Sequence, residues 1–277
     1  ILTRGRWLWT LVNAANPPGS RFRMGLAFDP RPNRAVLVMA GGENGDTDFN
    51  GTFEFNVAAA GGPAWVQRGS IRLVPGGDVQ LRTRHAMSWN PIGNHVLLFG
   101  GMAGEVSPQR QVLSFDGATN IWQARWNTFA IPPRDFAGVA YDEAGGRVII
   151  AGGGLITRPG ASPARQLGGG AFAWNGSSWS GLPGLAAGQE FWKAPMVYVP
   201  TTNPPCMLVY GGEVGGVGNA RVSAQVYKLS LGANPAWSVV TASAPPGRRA
   251  NMAASFDRSI GKAVFFGGRD EIGRAHV

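Results

Sequence analysis

The sequence predicts an all-β protein, and its composition, its short apolar runs and a regular repeat carry this prediction. Glycine and proline, at 42 and 20 of 277 residues, make up about 22 per cent of the chain, nearly twice their usual share and favourable for many tight turns. Hydrophobic residues reach 44% and charged residues only 15%, a balance too apolar for a disordered chain. Ten tryptophans supply large side chains for a core.

Five Gly-Gly pairs divide the chain into repeats. Successive pairs are 59, 52, 59 and 56 residues apart, and each follows an apolar run of four or five residues. Such runs, rich in β-branched and aromatic residues, are typical of strands buried on both faces. The pairs are Gly41-Gly42, Gly100-Gly101, Gly152-Gly153, Gly211-Gly212 and Gly267-Gly268.

Three further strands complete each repeat. An alternating segment ahead of the apolar run ends in an aromatic residue, an Asp or Asn and turn-forming residues, which predicts a hairpin. A third alternating strand follows, as in Val112-Leu113-Ser114-Phe115-Asp116, and a tryptophan recurring every 56 to 58 residues opens a fourth. Four meandering strands in about 57 residues form a propeller blade. The tryptophans are Trp9, Trp65, Trp122, Trp179 and Trp237.

The repeat resembles the kelch repeat over about residues 5 to 268. The third unit shows the family's pattern from Arg134 through Tyr141-Asp142, Gly152-Gly153 and Trp174-Asn175 to Trp179. The resemblance implies a kelch-type β-propeller in residues 1–270, with about five repeats of a six- or seven-bladed ring. The fourth unit departs most, because residues 200–205 are proline-rich and replace the Asp turn.

The Gly-Gly and tryptophan positions are predicted to be structural. Glycine allows positive φ and a close backbone approach to the neighbouring blade, and tryptophan supplies apolar area between blades. We therefore leave both sets out of the candidate site.

A basic residue recurs eight positions before the Asp or Asn of each first hairpin and forms an arginine column. One repeated position of a propeller becomes a ring, and the kelch resemblance implies that this ring lies on the rim of the central channel and receives acidic partner segments. Arginine suits carboxylates because its guanidinium offers paired donors. Alternatively, each arginine binds carbonyl groups of its own loop, and both interpretations stay open. The column is Arg21, Arg82, Arg134 and Arg249, with Lys193 in the fourth unit.

The loops that follow Gly-Gly vary most between repeats and contribute Glu43 and Glu213 as further ligand-binding candidates. The acidic turn beginning at Glu43 lacks the spacing of an EF-hand loop. We therefore predict no metal site there.

Two enzyme classes with kelch propellers form the alternative to a binding protein. Copper radical oxidases of the galactose-oxidase type need a Tyr cross-linked to Cys, a second Tyr and two His, but His85, His95 and Cys206 form no such motif here. Sialic-acid epimerases use rim Arg and Glu, which Glu190 with Glu43, Glu213 and the arginine column would allow. We predict a non-enzymatic scaffold for a protein or carbohydrate ligand, acidic in character, with no cofactor. A purely structural array is the third possibility.

Charge and targeting signals restrict the remaining classes. The net charge is +9, but the 22 arginines and three lysines are scattered, so we expect no specific nucleic-acid site. No apolar run approaches the roughly 18 residues of a membrane span, and one cysteine forms no intrachain disulfide. The residue pattern of the repeats resembles that of exported bacterial kelch arrays. This resemblance predicts a monomeric propeller outside the cell or on its surface. Residues 271–277 resemble a translated sequencing adapter, and we expect a non-native tail on a fragment.

Overall fold

The computed structural model describes residues 10–72, 81–104, 107–125, 131–156, 165–215, 220–241, 243 and 246–270. Within these ranges the regular structure consists of 25 β-strands joined by turns and loops, which confirms the all-β prediction. Trp9 and the tail at 271–277 lie outside the described residues.

The first two sheets each have four antiparallel strands in a meander. Sheet 1 contains β1 (Gly25–Asp29), β2 (Val36–Ala40), β3 (Gly51–Asn56) and β4 (Ala64–Ser70). Sheet 2 contains β5 (Ala86–Asn90), β6 (His95–Phe99), β9 (Val112–Asp116) and β10 (Ile121–Arg125). Between β6 and β9 the chain forms a separate small hairpin of β7 (Met102–Ala103) and β8 (Ser107–Pro108).

Sheets 3 and 4 repeat this arrangement. The short β11 (Arg134–Asp135) precedes sheet 3, whose strands are β12 (Gly138–Asp142), β13 (Arg147–Ala151), β16 (Ala171–Trp174) and β17 (Trp179–Leu182). The strands β14 (Gly154–Ile156) and β15 (Arg165–Leu167) pair with each other, and β14 also pairs with β11. Sheet 4 contains β18 (Met196–Val199), β19 (Cys206–Tyr210), β22 (Val226–Ser230) and β23 (Ala236–Val240), with a small hairpin of β20 (Glu213–Val214) and β21 (Arg221–Val222).

Sheet 5 has two strands, β24 (Ala250–Asp257) and β25 (Lys262–Arg269). The predicted four-strand order is therefore present in four units, and the predicted first hairpin is present in all five. In the fourth unit β18 pairs with β19 although a proline-rich turn joins them. These sheets are consistent with the blades of a β-propeller.

Consecutive sheets pack against one another and build the core. The first strand of each sheet contacts the first strand of the next, from β1 to β24. One apolar cluster fills each of the interfaces between sheets 1 and 2, 2 and 3, and 3 and 4. Trp122 of sheet 2 is buried in the first of these, where its Nε1 donates to Thr52 Oγ1 of sheet 1 at 2.9 Å.

The Gly-Gly pairs join each sheet to its successor. In the first four pairs the first glycine has φ of 59° to 71° and the second 83° to 93°. The second glycine donates its N–H to a carbonyl group at the start of the next sheet, as Gly101 does to Arg134 at 2.9 Å. A Cβ on the first glycine would overlap that same carbonyl oxygen. Glycine is thus required for both the φ value and the close approach.

Candidate functional site

Three members of the arginine column bind the Gly-Gly turn of their own sheet. Nη1 donates to the carbonyl oxygen of the first glycine in each case: Arg21 to Gly41 at 3.1 Å, Arg82 to Gly100 at 3.5 Å and Arg134 to Gly152 at 2.8 Å. Arg134 also donates to the carbonyl of Gly170 at 3.2 Å.

Burial separates the members of the arginine column. Arg82 is 0% exposed and Arg134 is 3% exposed, and burial lowers the pKa of both guanidinium groups to about 10. Both therefore remain charged at neutral pH. Arg21 is half-buried and lies over the rings of Phe49 and Phe53. Arg249 is also half-buried. The contacts and burial of Arg82 and Arg134 favour the carbonyl-binding interpretation for these two residues.

Lys193 does not occupy the position equivalent to the four arginines, so that alignment is corrected. Gly42, Gly101 and Gly212 donate their N–H groups to the carbonyls of Arg82, Arg134 and Arg249, and Gly153 donates to Phe191 at 2.8 Å. Phe191 is therefore the fourth member, and Lys193 lies two residues further along the chain.

Lys193 belongs to a second repeated position, which we call the inner column. Its five residues all have positive φ, between 50° and 59°, which is uncommon outside glycine. Each residue after the first donates its N–H to the carbonyl of the member before it, at 2.9, 2.8, 3.1 and 2.8 Å in turn. Hydrogen bonds between sheets thus hold this backbone conformation. The inner column is Arg23, Arg84, Phe136, Lys193 and Asn251.

Three cations of the inner column converge on one aromatic ring and form what we call the inner cation cluster. The Cζ atoms of Arg23 and Arg84 each lie 5.9 Å from the ring centroid of Phe136, and Lys193 Nζ lies 5.6 Å from it. Arg23 precedes sheet 1 and Lys193 precedes sheet 4. Side chains that precede sheets 1, 2 and 4 therefore meet at the ring of Phe136.

Buried carboxylates position two of these cations. Arg23 forms an ion pair with Glu43, and Lys193 forms one with Glu213 at 3.0 Å. Glu213 also accepts from Arg269 at 2.6 Å. The two predicted loop candidates, Glu43 and Glu213, are therefore buried ion-pair partners of the cluster. The Arg23 side chain is 37% exposed and reaches the surface.

The residues considered for a copper radical site, His85, His95 and Cys206, do not lie together in the structure. His85 is buried between sheets 1 and 2, and burial followed by the charge of Arg82 lowers its pKa to about 3. Neither ring nitrogen of His85 has a hydrogen-bond partner of good geometry. The nearby backbone of Ala40 and Thr83 acts against this lowering of the pKa. His95 Nε2 lies 3.3 Å from Asn90 Nδ2, and Cys206 is a buried free thiol in sheet 4.

The ranges that the structure describes contain no group of three His, Cys, Asp or Glu residues that could hold a metal ion. They also contain no helix of the length and hydrophobicity needed to cross a membrane.

Arg23, Arg84 and Phe136 were not among the site residues predicted from the sequence. The signal was present as a second repeated position two residues after the first. No protein-family model matches the chain, and no curated protein matches it.

Proposed function

We propose that the protein is a kelch-type β-propeller that serves as a non-enzymatic binding scaffold. The inner cation cluster would bind a carboxylate group of a protein or carbohydrate ligand. The observation that carries this proposal is the convergence of Arg23, Arg84 and Lys193 on the ring of Phe136. The repeat pattern and the four-stranded sheets support the kelch assignment.

The chemistry of the cluster suits an acidic ligand with an apolar face. Guanidinium groups bind carboxylates through two parallel hydrogen bonds, and the ring of Phe136 offers a flat surface for a sugar ring or an apolar side chain. The ion pair with Glu43 restrains Arg23 before the ligand arrives. Restraint of this kind reduces the conformational entropy that binding must overcome.

The remaining sequence predictions are part of the same proposal. We propose that the scaffold acts outside the cell or on its surface, as a monomer, with its sheets contributing to a ring of six or seven blades. A glycan array together with acidic polypeptides would identify which ligand class it binds.

The cluster is tested with two carboxylate polymers, polyglutamate and polygalacturonate, and with neutral dextran as the reference. The wild-type protein should retain the acidic polymers and not dextran, and Arg23→Gln should weaken retention at least about tenfold, a loss of about 1.4 kcal/mol. Arg258→Gln is the matched control, because Arg258 is an exposed arginine paired with Glu143 at the opposite end of the first strands. Equal retention of all three polymers would contradict the proposal. Retention of the acidic polymers by Arg23→Gln at the wild-type level would contradict it as well.

A further inference from the structure

A polar pocket of about 370 Å³ lies at one end of sheet 2, where β9 turns into β10. Alternate residues of a strand share a face. One face of these two strands lines the pocket, and the other packs its apolar side chains against sheet 1. The β5–β6 turn and the β1–β2 turn of sheet 1 complete the lining. The lining residues of the two strands are Ser114, Asp116, Ile121, Gln123 and Arg125.

The pocket is separate from the inner cation cluster. Arg23 of that cluster precedes β1, whereas Arg31, which lines the pocket, follows β1. The two sites therefore lie at opposite ends of the first strand. Every turn at the pocket's end of sheets 1, 2 and 3 lies within the described ranges, namely residues 30–35, 57–63, 91–94, 117–120, 143–146 and 175–178.

Two arginines of the pocket are held in place by the protein itself. Arg31 Nη2 pairs with Asp29 Oδ2 at 2.7 Å, and Asp29 is buried. The guanidinium of Arg31 also lies over the ring of Trp89, with its Cζ 5.3 Å from the centroid. Arg125 Nε donates to Ser114 Oγ at 2.7 Å. Groups fixed in this way lose less conformational entropy when a ligand binds.

An ion-pair network beside the pocket carries one excess positive charge. Three arginines share two buried carboxylates, and Arg31 belongs to both the network and the pocket lining. The pairs are Asp29 with Arg31 and Arg34, and Glu54 with Arg34 and Arg68.

The pocket itself adds one charge of each sign, from Arg125 and Asp116. Among the residues that the structure describes, Arg125 forms an ion pair with none. The Asp116 carboxylate accepts from its own turn, from the Ala118 N–H at 2.9 Å and from Thr119 Oγ1 at 3.0 Å. Burial lowers the pKa of His95, so this imidazole is uncharged at neutral pH. Four arginines thus face three carboxylates, which suits a ligand with one negative charge.

The rest of the lining suits a ligand with hydroxyl groups. Asn94 and Gln123 each offer donors and an acceptor. The Asp116 carboxylate accepts hydrogen bonds but repels an anion, so it favours hydroxyl groups at its end of the pocket. Ile121, which is 36% exposed, offers an apolar surface to the C–H groups of a ring. The volume of about 370 Å³ lies near the lower end of the range of small-molecule sites, about 300–1,000 Å³.

We propose that this pocket binds a sugar acid, a monosaccharide that carries one carboxylate group. Arg31 and Arg125 bind the carboxylate, and Asp116 accepts hydrogen bonds from the hydroxyl groups. A phosphorylated sugar carries a charge of about −1.5 to −2 near pH 7, which exceeds the single excess charge of the site. The proposal does not depend on whether the inner cation cluster binds acidic ligands.

Isothermal titration calorimetry of the whole chain with glucuronate, glucose, phosphorylated glucose and acetate tests the pocket. We expect saturable binding of glucuronate, at least about tenfold tighter than binding of the other three, which corresponds to about 1.4 kcal/mol. Arg125→Gln should weaken glucuronate binding at least about tenfold while circular dichroism shows the native fold. Arg258→Gln is the matched control and should bind like the wild type, because Arg258 is an exposed arginine at the same end of the sheets but outside the pocket.

Amide hydrogen exchange and the Arg23→Gln variant locate the bound ligand. Glucuronate should slow exchange at residues 116–121, and Arg23→Gln should keep the wild-type affinity. If Arg23→Gln abolishes the binding and Arg125→Gln does not, glucuronate binds at the inner cation cluster, which would overturn this proposal and support the proposed function.

Three other results would also overturn the proposal. The first is no saturable binding of glucuronate by the wild-type protein. The second is equally tight binding of acetate, which would mean that the hydroxyl groups contribute nothing. The third is tighter binding of phosphorylated glucose, which would contradict the charge argument.

Discussion

The contrast between Gly100→Ala and Gly267→Ala tests whether Gly-Gly pairs join one sheet to the next. Both glycines come first in their pair, with φ of 59° and 74°. An added Cβ overlaps the carbonyl oxygen of Arg134 at Gly100, whereas at Gly267 it meets no atom of the residues that the structure describes. The two substitutions therefore share the backbone penalty and differ in the contact with the next sheet.

The expected costs follow from this difference. Alanine at positive φ costs about 1–2 kcal/mol, and the stiffer unfolded chain offsets about 0.4–1 kcal/mol of it, so Gly267→Ala should cost about 1 kcal/mol or less. At Gly100 the sheets must also move apart, which breaks the 2.9 Å hydrogen bond from the Gly101 N–H to the Arg134 carbonyl. Leaving these buried groups unpaired adds about 1–3 kcal/mol. We expect Gly100→Ala to cost about 2–4 kcal/mol in total.

Urea unfolding followed by circular dichroism measures both free energies. Amide exchange at Gly101 reports the interface directly, which matters if the repeats do not unfold as one unit. Exchange should accelerate in Gly100→Ala and stay unchanged in Gly267→Ala. Equal costs for the two substitutions would refute the reasoning, because the glycines would then be needed only for their φ values.

Three further predictions concern single side chains. His85 has a folded-state pKa of about 3, below its unfolded value of 6.5, so its contribution is complete above pH 6.5 and is lost as the pH falls towards 3. The free energy of unfolding measured in urea should fall by about 3 kcal/mol between pH 7 and pH 4. In the His85→Gln variant it should fall by less. Trp122→Ala should lower the free energy of unfolding by about 3–5 kcal/mol. Replacing the half-buried Trp65 with Ala should lower it distinctly less, and equal melting temperatures of the two variants would contradict this. Arg134→Met should lower the melting temperature but leave acidic-polymer retention unchanged. Arg23→Gln should weaken retention but leave the melting temperature unchanged. The opposite pattern would return the binding role to the arginine column.

The sheets were predictable because their signals are local. The apolar runs before the Gly-Gly pairs became β2, β6, β13, β19 and β25, each beside the strand predicted to pair with it. Alternation, turn residues and glycine act over a few neighbours, so one sequence shows them plainly. Even the proline-rich turn of the fourth unit did not prevent its hairpin.

The site was predicted less well. Sequence spacing aligned Lys193 with the arginine column, whereas the structure places it in the inner column. The structure brings Lys193 to Phe136, together with Arg23 and Arg84. Positive φ at the inner column is uncommon outside glycine, so strand alternation does not predict this backbone conformation.

The sequence by itself determined the strands, their order within each sheet and the repeat that relates the sheets, since these depend on residues close together in the chain. Tertiary structure alone decided which basic position brings its side chains together at Phe136. That choice depends on hydrogen bonds such as the one from the Arg84 N–H to the Arg23 carbonyl. These bonds join residues that are more than fifty positions apart and that meet only when the sheets pack.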